Sequence, residues 1–259
     1  MNVRKVNFKD NAPLIRQYYE SNRITVDSFW EDHVIKSNHY QIISNHDVIG
    51  FFAIFEKMTL TLFHVFDQHA QLGCHLFQLV KRYEQITNAF VPTGDEFFLS
   101  HCLDHFMRIE KQAYFSIYRD EPLDSDRQID LELIRILTET DTELLSLAGD
   151  FFDEDAADRI LNGSDYFQVY KVAHNGEIVG FGVIELGRVI KNIASIGMFV
   201  MEDKRQKGYA ANILKILQRH VESKGYQAIS GCWYYNHNSL KSMESAGAYS
   251  KTRLLRVYF

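Results

Sequence analysis

The sequence predicts an α/β (α+β) protein that consists of two similar halves. Runs of alternating apolar residues, such as residues 193–200, indicate half-buried strands. An apolar stripe formed by Ile213, Leu214, Leu217 and Val221 indicates an amphipathic helix directly after that strand. Segments of the two halves also match one another at a nearly constant offset, so the same elements are expected twice.

The elements of the C-terminal half are separated by clear turn signals. The dipeptide Asn175-Gly176 predicts a hairpin, and Asp141 and Asp153 are suited to the N-caps of two helices. The predicted strands are residues 131–137, 166–173, 178–186, 193–201, 226–235 and 253–259. The predicted helices are residues 141–149, 153–161, 209–224 and a short helix that starts at Asn236 and ends at 246–248.

The N-terminal half matches this order at two glycines. Gly50 falls opposite Gly180 with an offset of 130 residues, and Gly73 falls opposite Gly208 with an offset of 135. A steady offset with a single change of five residues predicts two copies of one fold. The alternative is a chance alignment of generic strand and helix patterns.

The boundary between the halves is predicted in the most polar and least periodic stretch, which contains Pro122. We therefore expect a first domain at residues 1–120, a linker at 121–130 and a second domain at 131–259.

A basic loop that contains a glycine, residues 205–210, joins the strand at 193–201 to the following helix. The first N–H groups of a helix have no helical partners and lie at the positive end of its dipole. Gly208 lets a ligand approach the main chain because it has no Cβ, and Arg205 and Lys207 add full positive charges. The loop predicts a phosphate or pyrophosphate site; the alternative is an ordinary turn that binds nothing.

The pattern Arg-x-x-Gly-x-Ala at residues 205–210 resembles the signature of the GNAT superfamily of acyl-CoA N-acyltransferases. Asn236, followed by Ser239 and by Gly247 at the end of the helix, resembles a second motif of that family. The resemblance covers roughly residues 129–259. It implies GNAT-like domains, each a mixed, mostly antiparallel twisted sheet flanked by helices.

The resemblance implies that the C-terminal half binds acetyl-CoA as a cosubstrate. The loop would hold the pyrophosphate, and Asn236 would bond the pantetheine arm. Backbone groups at the end of the preceding strand would polarise the thioester carbonyl. The implied acetyl-CoA-binding residues are Met198, Phe199, Val200, Arg205, Gln206, Lys207, Gly208, Tyr209, Ala210, Asn236 and Ser239.

The acid and the base of the transfer are less well defined. Many family members have a tyrosine seven residues after the asparagine that protonates the leaving thiolate. Here that position is Met243, which cannot donate a proton. Tyr234 or Tyr235 could substitute, or the thiolate could leave through water. Glu185 and His237 are the candidates for the base, with a water chain as the alternative.

The first copy is expected to be degenerate. Ala70 and Leu72 fall opposite basic residues of the loop, and His101 falls opposite Asn236. His101 and His105 are four residues apart on a predicted helix, but no acidic third ligand accompanies them, so no metal site is predicted.

The composition excludes several classes of partner. A net charge of −6 argues against nucleic acid and is compatible with a cationic amine. The three cysteines are widely spaced and form neither a disulfide framework nor a metal motif, which predicts a reducing cytoplasm. No signal peptide and no apolar run of about 20 residues is present, so no membrane partner is predicted.

These predictions converge on a cytoplasmic N-acetyltransferase. It would transfer the acetyl group of acetyl-CoA to the amine of a small molecule by direct attack in a ternary complex, without a metal. Tandem proteins of this kind resemble bacterial enzymes that acetylate antibiotics or metabolites. The alternative is a non-catalytic acyl-CoA-binding or scaffold protein with a vestigial site. We expect a monomer or a homodimer.

Overall fold

The structure is a computed structural model that describes residues 2–83, 85–121, 123 and 127–259. The chain forms two compact units, unit 1 (Met1–Phe115 and Thr252–Phe259) and unit 2 (Ser116–Lys251). The units therefore do not follow two continuous stretches of chain, as the predicted bounds 1–120 and 131–259 would. The predicted linker, residues 121–130, falls within unit 2, and its residues 122 and 124–126 lie outside the described residues.

In unit 1, helices flank a mixed sheet. Its strands are β1 (Asn2–Val6), β2 (Asn38–Ser44), β3 (Asp47–Phe55), β4 (Thr59–Val65), β5 (Asn88–Pro92) and most of β6 (Arg108–Tyr118). Its helices are α1 (Phe8–Ser21), α2 (Ser28–Ile35), α3 (Gly73–Lys81) and α4 (Glu96–Leu103), with a 3-10 helix at Asp67–Leu72. Strands β1 to β4 pair antiparallel in chain order, whereas β4 and β5 are parallel.

Unit 2 repeats this arrangement. Its strands are β7 (Glu132–Arg135), β8 (Phe167–His174), β9 (Glu177–Leu186), β10 (Ile193–Val200), β11 (Gln227–Trp233) and the start of β12 (Ala248–Tyr258). Its helices are α5 (Glu139–Thr142), α6 (Ala156–Leu161), α7 (Tyr209–Glu222) and α8 (His237–Ser245), with 3-10 helices at Glu143–Phe151 and Glu202–Lys204. Strands β7 to β10 pair antiparallel, and β10 and β11 are parallel.

The predicted fold class is confirmed: each unit has a mixed, mostly antiparallel sheet with flanking helices. The hairpin between β8 and β9 is confirmed too, and Asn175 and Gly176 have φ values of 52° and 80°, as its tight turn requires. Among the described residues, no helix has both the length and the apolar character needed to span a membrane.

Several predicted elements were wrong in kind or length. The predicted helix at 141–149 is mostly a 3-10 helix, interrupted by the left-handed Gly149 with φ 57°. The next helix begins at Ala156, and its N-cap is Asp155 instead of Asp153. Strand β12 begins at Ala248, five residues earlier than predicted, and its residues Leu254–Tyr258 pair with β5 in unit 1.

The matched glycines Gly50 and Gly180 occupy equivalent positions. Each pairs with the last residue of the following strand, in β4 and β10 respectively. A Cβ on Gly50 would lie 2.5 Å from the carbonyl oxygen of His64, and a Cβ on Gly180 would lie even closer to that of Phe199. Neither position has room for a larger residue, so both units require glycine for the same steric reason.

Candidate active site

The site begins where two parallel strands of unit 2 separate. Strands β10 and β11 are in register only from Ile193 to Ser195 of β10. At the point of separation, Ser230 Oγ donates a hydrogen bond to the carbonyl oxygen of Ile196 at 2.8 Å, and Tyr118 Oη lies 2.6 Å from Ser230 Oγ. Beyond this contact the edge of β10 is open along the gap.

The backbone of β10 presents polar groups to that gap. In an antiparallel pair, alternate residues bond to the neighbouring strand. Ile193 and Met201 take part in backbone bonds with the β9 side at 2.9 and 3.0 Å, so the odd-numbered residues face β9. Met198 and Val200 therefore turn their N–H and C=O groups toward the gap, where Arg205 Nε donates to the carbonyl of Val200 at 3.3 Å.

The basic loop closes one end of the gap. Gln206 and Gly208 adopt left-handed conformations, with φ values of 63° and 85°, and Gly208 is the N-cap of α7. Asn212 holds this loop in place: its Nδ2 donates to the carbonyl of Gly208 at 3.1 Å, and its Oδ1 accepts from the N–H of Ile129 at 2.9 Å. The unpaired N–H groups of the first turn of α7 therefore face a fixed location, as an anion site requires.

The gap and the loop together enclose a cavity of about 660 Å³. Strand β10, the loop, α7 and α8 all contribute to its wall. Its lining residues are Phe151, Met198, Phe199, Val200, Lys204, Arg205, Gln206, Gly208, Tyr209, Ala210, Ala211, Asn236, Asn238, Ser239, Lys241, Ser242 and Ser245. Small residues and serines dominate the α7 and α8 walls, so backbone and hydroxyl groups are accessible to a ligand.

All but one of the predicted acetyl-CoA-binding residues line this cavity. The exception is Lys207, whose exposed ammonium donates to the carbonyl of Asp203 at 3.0 Å. Sequence reasoning missed the α8 residues Asn238, Lys241, Ser242 and Ser245. They recur along α8 at intervals of three to four residues, and this spacing was the available signal, because it places side chains on one helix face.

Neighbouring polar side chains hold two of the lining residues. Lys204 Nζ lies 2.7 Å from Glu177 Oε2, and this hydrogen bond raises the pKa of Lys204 and lowers the pKa of Glu177. Tyr209 Oη lies 2.9 Å from His174 Nδ1, which orients the first residue of α7.

The predicted catalytic residues lie outside the cavity lining. Tyr234 and Tyr235 follow the end of β11 in a turn, with ring centroids 5.2 Å apart, and Tyr235 is 54% exposed. The prediction that β11 continues to residue 235 was therefore wrong. His237 is the exposed first residue of α8, and its N–H donates to the carbonyl of Tyr235 at 3.0 Å.

Glu185 lies near the end of β9, opposite Ser195 of β10. Its Oε1 is 3.7 Å from a guanidinium nitrogen of Arg159, which also contacts Asp153 and Asp155 at 3.3 Å. Glu185 is thus half-buried within a charge network, and it would have to serve as the base while it is paired with Arg159.

Met243 packs in the core of unit 2 and is 3% exposed. Its neighbours in this core include Leu214 and Leu217 of α7. The side chain thus stabilises the packing of α8 on α7 instead of lining the cavity, and it provides no proton donor.

One predicted equivalence between the halves was wrong. The N-cap of α8 is Asn236, and the N-cap of the corresponding helix α4 is Asp95, so element order places Asp95 opposite Asn236 instead of His101. His101 lies within α4, where its Nδ1 is 2.7 Å from the carbonyl of Phe97. His105 lies beyond α4, and its ring stacks on Phe77.

Comparison with protein families identifies two related segments. Residues 7–119 match the model described as acetyltransferase (GNAT) domain, and residues 104–248 match the model described as acetyltransferase (GNAT) family. The prediction of two copies is confirmed by these matches. No curated protein is significantly similar to the chain.

Solved structures share this fold over the whole chain. A GNAT-family acetyltransferase from Colwellia psychrerythraea has a TM-score of 0.84 at 19% identity, with 100% of each chain covered. A GCN5-related N-acetyltransferase from Sphaerobacter thermophilus has a TM-score of 0.65 at 13% identity, covering 99% of this chain and 94% of that one. A tandem GNAT protein from the clavulanic acid biosynthesis pathway has a TM-score of 0.59 at 11% identity, covering 99% and 97%.

Proposed function

The chain belongs to the GNAT family of acetyltransferases, and we propose that its unit 2 transfers the acetyl group of acetyl-CoA to the amine of a small molecule. The observation that carries this proposal is the cavity in which the open edge of β10 meets the basic loop before α7. An extended thioester with a pyrophosphate matches both features. Its extended arm needs backbone partners, which the open edge of β10 offers, and its pyrophosphate needs an anion site, which the basic loop offers.

The binding roles follow from this placement. The N–H groups of residues 206–210 would bind the pyrophosphate, and Arg205 would add charge beside it. The gap-facing backbone groups of Met198 and Val200 would bond the pantetheine arm. Asn236 and Ser239 would contact that arm from α8.

In the proposed reaction, the neutral amine attacks the carbonyl carbon of the thioester within a ternary complex. A C–N bond forms, the C–S bond breaks, and the thiolate leaves. A backbone N–H at Met198 or Val200 would stabilise the negative charge that develops on the carbonyl oxygen. Holding both substrates in line supplies a large share of the rate.

The amine must lose a proton and the thiolate must gain one. We propose Glu185 or His237 as the base and Tyr234 or Tyr235 as the acid. Since none of them lines the cavity, each would act through water. The cytoplasmic location and the monomeric or homodimeric state stay predictions from the sequence.

A second candidate function is acyl-CoA binding without turnover. The buried Met243 favours it, because the position of the usual proton donor belongs to the core. The two candidates differ in thiol release: a binder holds acetyl-CoA without producing free CoA in the presence of amines.

Calorimetric titration with acetyl-CoA tests the proposed site, with Gly208→Glu as the variant and Gly225→Glu as its matched control. Both glycines have φ 85°, so the two substitutions impose the same backbone strain. A Cβ would meet nothing within 4 Å at Gly225 and only ordinary contacts, from 3.7 Å outward, at Gly208. Only the change at Gly208 introduces a carboxylate at the cavity. We expect wild type and Gly225→Glu to bind with micromolar affinity and Gly208→Glu to lose binding.

Equal affinity in both variants, or no binding by the wild type, would overturn the site assignment. With binding established, release of free thiol across a library of amines separates the two candidate functions. Thiol release with one class of amine supports the transferase, and its absence with every amine favours the binder.

A further inference from the structure

The cavity of unit 2 concentrates positive charge in a protein whose net charge is −6. Its lining contains Lys204, Arg205 and Lys241, and no carboxylate occurs among the described residues that line it. Like charges that line one cleft attract a ligand with several negative charges.

Two of these three cations already have protein partners. Lys204 Nζ is 2.7 Å from Glu177 Oε2, and Arg205 Nε donates to the carbonyl of Val200 at 3.3 Å. The exposed side chain of Lys241 has no hydrogen-bond or ion-pair partner within the described part of the chain. Its ammonium can bind a ligand without first breaking a contact.

Lys241 lies on a different wall from the basic loop. The lining residues of α8 run from Asn236 to Ser245, about 13 Å along the helix at 1.5 Å per residue. Lys241 is near the middle of that run, and Ser242 and Ser245 line the same wall. The cavity therefore has two sites for negative charge: the N–H groups at the start of α7 and the ammonium on α8.

A CoA thioester has two matching anionic groups, a pyrophosphate and a 3′-phosphate on its ribose. A lysine ammonium binds such a phosphate as a compact point charge. Building on the proposed function, we propose that Lys241 binds the 3′-phosphate, with Ser245 as a hydroxyl donor beside it. Lys241 thus makes the site discriminate CoA from 3′-dephospho-CoA.

Titration with CoA and with 3′-dephospho-CoA tests this assignment, because neither ligand can be turned over. The variant is Lys241→Met, which keeps the side-chain length and removes the charge. The control is Lys191→Met, since Lys191 is an exposed lysine in the β9–β10 connection and does not line the cavity. All titrations use one low ionic strength, because salt screens an exposed ammonium.

We expect wild type and Lys191→Met to bind CoA about tenfold more tightly than 3′-dephospho-CoA, as one charge-assisted contact allows. In Lys241→Met, we expect the two ligands to bind equally, with the affinity for 3′-dephospho-CoA unchanged from the wild type.

Three outcomes would overturn the assignment: a wild type without preference, a tenfold preference retained in Lys241→Met, or an equal loss of affinity for both ligands. These outcomes leave the proposed function intact, because CoA still binds. Failure of the wild type to bind either ligand would instead overturn the CoA site and the inference with it.

Discussion

The start of α3 in unit 1 and the start of α7 in unit 2 occupy the same position in the repeated fold, but their surroundings differ. In unit 2, Gly208 is left-handed and faces the cavity. In unit 1, the 3-10 helix Asp67–Leu72 runs directly into α3, and Gly73 is helical with φ −52°. A Cβ on Gly73 would lie 2.5 Å from His101 Nε2 and 3.0 Å from Phe97 Cζ.

Aromatic rings fill the space in unit 1 that a ligand would need. The parallel pairing of β4 and β5 covers only two residue pairs, so these strands also separate early. The ring of Phe63 on β4 lies 5.8 Å from Phe97 and 5.5 Å from His101, measured between centroids. The same backbone opening thus becomes a core in one unit and a cavity in the other, and side-chain size decides between them.

The helix caps that follow differ in the same way. Asn236 is exposed and caps α8 through the N–H of Ser239. Asp95 is 1% exposed, caps α4, and accepts hydrogen bonds from Tyr18 Oη at 2.6 Å and Tyr19 Oη at 3.1 Å. Asp95 in unit 1 therefore holds the surrounding structure together, whereas Asn236 in unit 2 is accessible to a ligand.

The largest effect that follows from this comparison is on stability. We expect Asp95→Ala to lower the free energy of unfolding by about 4 kcal/mol, since it removes a helix cap and leaves two tyrosine hydroxyls without their acceptor. Asn236→Ala should lower the free energy of unfolding by about 1 kcal/mol, because water can replace the hydrogen bond that an exposed cap makes. Urea denaturation of both variants measures the difference, and equal losses would contradict the contrast between the caps.

The second effect concerns pH. Burial raises the pKa of Asp95 from its ordinary value of 3.8 to about 6 in the folded protein. Between these values the folded state holds a proton that the unfolded state has released, so this carboxyl stabilises the fold increasingly as pH falls from about 6 to 4. We expect the stability of the wild type relative to Asp95→Asn to rise by about 3 kcal/mol over that interval.

The stability of the wild type must be compared with that of a variant, because the titration of His64 changes the stability in the opposite direction to that of Asp95. Burial lowers the pKa of His64 to about 4, so its contribution to stability is lost as pH falls through the same range. Glu96→Gln, at the exposed neighbouring residue, is the control for removal of a carboxylate at the start of α4. A flat difference curve for Asp95→Asn would contradict the raised pKa of Asp95.

The smallest effects are expected when each of the two glycines, Gly73 and Gly208, is replaced by alanine. We expect Gly73→Ala to cost about 1 kcal/mol in stability through its contact with His101 and to leave the affinity for CoA unchanged. Gly208→Ala should cost a similar 1 kcal/mol through its left-handed backbone but weaken CoA binding severalfold. Thermal unfolding and calorimetry separate the two, and a loss of CoA affinity in Gly73→Ala would mean that unit 1 also binds.

The sequence alone predicted the fold class, the repeat and the loop before α7. These features are local: periodicity identifies β10 and α7, and the turn at Gly208 and the charges around it lie within six consecutive residues. The fold family followed from the spacing of that loop and Asn236, again from residues close together in the chain.

Only the tertiary structure decided what surrounds those local features. The α8 wall with Lys241, the burial of Met243, the filling of unit 1 by Phe97 and His101, and the pairing of Leu254–Tyr258 with β5 all depend on residues far apart in the chain. Local propensity is the same whether a side chain packs against a neighbour or faces a cavity. The arrangement of distant elements therefore determined which of two similar units keeps an open site.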